Sequence, residues 1–77
     1  MEDWEKRINI DNEVMGGKPV ITGTRVPLQV ILGTLAGGAS IDEVCEDYGI
    51  SREDVLAALA YATETLAQET VHALSHR

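Results

Sequence analysis

Lys18 and Arg25 are the side chains best placed for chemistry in this chain. They flank Pro19-Val20-Ile21-Thr22-Gly23-Thr24 within a stretch, Gly16 to Pro27, that holds three of the seven glycines and both prolines. Glycine admits φ > 0 and proline locks φ and removes a donor, so this density fixes turns. Two cations on such a loop can converge on one anion, in the manner of a backbone nest. Equally, they can be two solvated side chains on a shaped turn. With Thr22, Thr24 and Arg52 they form the candidate contact set for a partner or nucleic acid. Gly16, Gly17, Pro19, Gly23 and Pro27 are the candidate loop-shaping residues. Gly16-Gly17-Lys18 lacks the Gly-Lys-Ser/Thr core of a phosphate loop and its strand-loop-helix setting, so no nucleotide site is expected.

Other reactive types are sparse. Cys45 is the single cysteine and lies in a helical pattern, where it reads as a small buried hydrophobe. A catalytic thiol needs a nearby base, and both histidines, His72 and His76, are in the tail. Those histidines share i, i+4 spacing but have no evident third metal ligand. Asp42, Glu43, Glu46 and Asp47 read as a solvated face. No catalytic residue, metal or cofactor is expected, and the chain reads as a non-enzyme.

The charge is uneven. The net charge is −7, and most of the excess acid lies after Arg25. An acidic body repels phosphate backbones, whereas nucleic-acid binding usually leaves a basic footprint. Any DNA contact falls to Lys6, Arg7, Lys18, Arg25 and Arg52. A basic protein partner is electrostatically easier. A single cysteine suits a reducing compartment, the first residues lack a signal-peptide profile, and no apolar run reaches membrane-span length. A cytoplasmic protein with no membrane association is expected.

At 77 residues the chain is one small domain, and a core this size is marginal alone. Oligomerisation is a common remedy, so a homodimer is expected. Residues 1–7 read as a flexible arm, with Trp4 either packing back or serving an interface. Arg7-Ile8-Asn9-Ile10-Asp11 alternates like a strand, and Val20-Ile21-Thr22 suits a second one. Pro27 suits a helix first turn. The first helix runs to about Leu35, with Val26, Val30, Ile31 and Leu35 near one face, and stops at Gly37-Gly38.

Ser40-Ile41-Asp42-Glu43 is a capping box opening a second helix, Ile41–Tyr48, which Gly49 ends. Ser51-Arg52-Glu53-Asp54 opens a third, continuing to about Leu74, with acids that complement its dipole. Val55, Leu59, Ala62 and Leu66 form its apolar stripe. Such a helix is about 33 Å long and overhangs a three-helix core. Leu66, Val71 and Leu74 then need a partner surface. Residues 8–74 form the domain and 75–77 a frayed end. The second helix, Gly49-Ile50-Ser51 and the third helix have helix-turn-helix form. Arg52, Glu53 and Asp54 occupy the positions that face base edges in such motifs, and two carboxylates there oppose the phosphate field.

Ile8-Asn9-Ile10-Asp11, Gly16-Gly17-Lys18-Pro19-Val20-Ile21 and Gly23-Thr24-Arg25-Val26-Pro27 together resemble the small bacterial domain of unknown function 433. The likeness continues through Gly38-Ala39-Ser40, Asp47-Tyr48 and Val55 to Tyr61. The resemblance implies a mainly α fold: a three-helix homeodomain-like or winged-helix-like helix-turn-helix bundle preceded by a short two-stranded β-arm. The family includes VapB-like antitoxins, which pair with toxins having a PIN-like nuclease domain. The resemblance thus implies an antitoxin-like binding protein that contacts operator DNA as a dimer. A stand-alone helix-turn-helix transcriptional regulator and a structural oligomerisation module are the alternatives.

Overall fold

A computed structural model describes residues 4–13 and 15–74, with the side chains of Met15 and residues 70–74 excepted. The expectations for residues 1–3 and 75–77, and for the side chains of Val71, His72, Leu74 and His76, lie outside the described residues. Two short strands, β1 (Ile8–Asn9) and β2 (Val20–Ile21), precede three helices, α1 (Leu28–Ala36), α2 (Ile41–Tyr48) and α3 (Arg52–Leu74). The strands pair antiparallel within the chain, Ile8 opposite Ile21 and Asn9 opposite Val20. Pro27 adds an antiparallel bridge to Val20, so β2 has neighbours on both sides. A lone two-stranded ribbon is marginal in water. This one is stabilised because Val20 and Ile21 are fully buried.

The helix boundaries follow local chemistry. Ser40 Oγ accepts from the Glu43 amide at 3.0 Å while Glu43 Oε1 accepts from the Ser40 amide at 2.7 Å. Gly49 ends α2 in the left-handed region, at φ 67°. Pro27 stands one residue earlier than expected, as the cap of α1 with extended backbone, φ −71° and ψ 142°. Its carbonyl accepts from Val30 and Ile31.

The core is Ile21, Leu28, Ile31, Val44, Ile50, Val55 and Ala58. Every helix contributes, and so does the β-arm. Two expected core positions are corrected: Val30 is 39% exposed and Leu59 38%. The inward face of α3 is instead centred on Val55 and Ala58, both fully buried. From Thr63 to Glu69 every side chain is exposed. The expected overhang is therefore present.

Residues 4–7 correct the expected flexible arm. They coil into a 3-10 turn packed against α3, its largest tertiary neighbour. Trp4 meets Tyr61 edge-on, with ring centroids 6.2 Å apart at 83°, a favoured aromatic geometry. Arg7 donates to Asp54 Oδ1 at 3.1 Å. Asp54 Oδ2 meanwhile accepts from the Ser51 amide at 3.1 Å, and Ser51 Oγ accepts from the Asp54 amide. One carboxylate thus closes a helix cap and anchors the amino-terminal turn. Asp54→Ala should lower stability by about 1–2 kcal/mol through the lost cap and ion pair together. Fluorescence of Trp4 should shift to the red as the turn releases, while far-ultraviolet circular dichroism keeps its helical form. An unshifted emission would show that the turn holds without Asp54.

Candidate functional site

The Gly16–Pro27 loop is built around Ile21. Its amide donates to the Val26 carbonyl at 3.0 Å, and its carbonyl accepts from the Thr24 amide at 3.0 Å. The Thr24 hydroxyl also donates to that carbonyl, at 2.7 Å, and accepts from the Val26 amide at 3.0 Å. Thr22-Gly23 form the corner between them. Gly23 has φ 81°, a conformation that carries little penalty only without a Cβ, as turns with positive φ at their third residue require. Pro19 closes the loop by accepting from the Leu28 amide at 3.0 Å. Gly16 and Gly17 also take positive φ, 66° and 87°, within a second 3-10 turn, Met15–Gly17.

This bonding divides the candidate contact residues. Thr22 donates its amide to the Arg7 carbonyl at 2.8 Å and its hydroxyl to the Lys6 carbonyl at 3.0 Å. Thr22 and Thr24 therefore belong with the loop-shaping residues, since both direct their hydroxyl protons into the chain. Lys18, Arg25 and Arg52 are exposed. Among the described residues the one ion pair is Arg7–Asp54, so these three cations make none there. Arg52 opens α3, beside exposed Glu53. The loop and the helix-turn-helix are separate elements, and the structure does not gather the three cations onto one element.

Sequence reasoning missed a second feature. An apolar groove of about 380 Å³ lies between α1 and α3, lined by Pro19, Leu28, Leu32, Tyr61, Ala62 and Leu66, with Gln29 and Thr65 at its polar edge. Leu66 is 58% exposed. The stripe containing Ala62 and Leu66 was the legible signal, but helical spacing alone assigns it to a core. On the other side of Tyr61 a smaller cleft, about 200 Å³, is lined by Trp4, Glu5, Ile8, Ile10 and Tyr61. Tyr61 is common to both. Among the described residues no helix is long and apolar enough to cross a membrane.

The division between shape and contact is measurable. Thr24→Val removes two hydrogen bonds at the corner and leaves a half-buried amide unpaired, which should cost about 1–3 kcal/mol in urea denaturation. Replacing Lys18 and Arg25 together with Ala should change stability by no more than about 0.5 kcal/mol, as for exposed side chains generally. A larger loss for the cations than for Thr24 would invert the assignment.

Comparison with known proteins gives the same outline. No curated protein matches the chain. The crystal structure of a DUF433 member protein from Anabaena variabilis ATCC 29413 is 32% identical, with a TM-score of 0.73, over 80% of this chain and 62% of that one. The structure of Rv2018 from Mycobacterium tuberculosis is 31% identical, with a TM-score of 0.64, over 71% of this chain and 26% of that one. This chain thus spans less than two thirds of the first relative and about a quarter of the second. The family described as "Protein of unknown function (DUF433)" matches residues 8–62, from β1 through the first half of α3 and including the whole Gly16–Pro27 loop. The three-helix body, its β-arm and that match agree, and the chain belongs to the DUF433 family.

Proposed function

We propose that this chain is a non-enzymatic, antitoxin-like binding protein that works as a dimer and pairs with a PIN-like nuclease toxin. The observation that carries this reading is the uncompensated acidic surface of α2. Asp42, Glu43, Glu46 and Asp47 are all exposed, and among the described residues no cation pairs with them. Glu43 is engaged in the helix cap; the other three are free of side-chain hydrogen bonds there. A nuclease binds a polyanion and so presents cations around its cleft. An acidic helix face is complementary to such a surface, speeding encounter and setting orientation.

Operator DNA, in this reading, is met by the dimer through Lys18, Arg25 and Arg52. The stand-alone regulator reading has the α2–turn–α3 arrangement in its favour. Against it, Glu53 is exposed beside Arg52 and Asp54 is committed to Arg7. Carboxylates at positions that face base edges oppose the phosphate field and weaken DNA affinity. An oligomerisation module without a second partner is the remaining alternative.

Co-expression with the product of the adjacent gene tests the proposal. The two proteins should co-purify, and Asp42→Lys, Glu46→Lys and Asp47→Lys combined should weaken the complex by roughly tenfold or more. Glu43 is left in place to preserve the helix. A neighbour unrelated to nucleases, or a complex indifferent to the reversed face, would defeat the reading. Salt-titrated DNA binding by the free dimer separates the regulator: steep, sequence-selective binding without any partner would favour it instead.

A further inference from the structure

The groove between α1 and α3 is open in the single chain, and the helix forming one wall runs on past it. We infer that a second copy of this chain covers it, the α3 helices packing against each other about a two-fold axis. Leu66 of each copy would then meet the Leu28, Leu32, Tyr61 and Ala62 wall of the other. This sharpens the dimeric part of the reading above by assigning its interface, and it does not depend on a toxin partner.

Surface area supports a second copy as the occupant. A compact monomer of 8.3 kDa exposes roughly 4,600 Å². This chain exposes 5342 Å², about 700 Å² more than that expectation. One partner's share of a standard stable interface is about 800 Å². The surplus is therefore of the size that a single two-fold contact removes. The overhang of α3 contributes to that exposed surface, since every side chain from Thr63 to Glu69 is exposed.

Spacing identifies the occupant as a helix. Leu59, Ala62 and Leu66 recur at three and four residues, the period at which one helix packs its ridge into another's groove. Leu59 and Leu66 are 38% and 58% exposed, so the chain's own core does not use this stripe. Leu66 is at once a wall of the groove and its most protruding apolar side chain. A self-complementary patch requires that pairing, since in a two-fold contact residue i meets residue j and j meets i. The α3 segment past Ala62, Thr63 to Leu74, extends about 18 Å, long enough to lie along a partner's groove.

Sedimentation equilibrium of the purified chain tests this directly. The wild type should be a dimer at tens of micromolar, and Leu66→Glu should raise the dimer dissociation constant at least about tenfold, as a charge in a desolvated apolar contact does. Circular dichroism should be unchanged, because Leu66 is exposed within one chain. Thr65→Arg, at the same wall, serves where Leu66→Glu alters helicity. Val30→Glu, exposed but outside the groove, should leave the dimer intact. A wild-type monomer would overturn the inference. So would a dimer that survives both groove variants or that dissociates with Val30→Glu, since either places the interface away from the groove. None of these outcomes bears on toxin pairing, since only this chain is present.

Discussion

Ile21 is the residue on which the architecture depends. Its side chain is 1% exposed and lies in the core with Leu28, Ile31 and Val55. Its backbone simultaneously makes the corner of the signature loop and the pairing with Ile8. Loops are normally placed on the surface because their polar backbone groups must find partners. Here the partners are supplied by Thr24, Val26 and Pro19 within a few residues, so the loop can descend into the core and return. The corner of the loop is thereby fixed by its own hydrogen bonds. That is why its composition is so particular: a positive φ at Gly23, a hydroxyl at Thr24, and a donor-free ring at Pro27.

Much of this was legible in the sequence because helix ends announce themselves chemically. Ser40 with Glu43, Ser51 with Asp54, and Gly49 at the turn located α2 and the start of α3 to the residue. The strands were found from alternation and β-branching, but both are shorter than the patterns that signal them, two residues each. Less visible were the features made by distant partners. The turn at Trp4–Arg7 is held by Asp54 and Tyr61, far along the chain; Trp4 signalled that the segment could pack back, but its local composition does not name these partners. Thr22 and Thr24 read as contact residues because an exposed hydroxyl is a plausible ligand; whether it faces solvent or a carbonyl depends on the turn. Leu59 and Val30 show the complementary limit. Periodicity identifies an apolar face, but which element covers it is a tertiary matter.

The charge distribution also has a structural logic. Arg7 lies on the amino-terminal turn, and its contact with Asp54 removes one carboxylate from the exposed acid of the helical body. The cations on the loop and at Arg52 stay exposed, as do the acids of α2. The exposed cations are therefore scattered over the loop and the start of α3, whereas the acids of α2 share one short helix and dominate the field of a chain of net charge −7.

Tyr61 stands between two apolar recesses of the surface. Its ring is a wall of the α1–α3 groove and of the cleft beneath Trp4. A substitution at Tyr61 therefore reshapes both recesses at once, and its effects on the two are not separable. The amino-terminal turn and α3 are neighbours in space through this ring, although the chain separates them by most of its length.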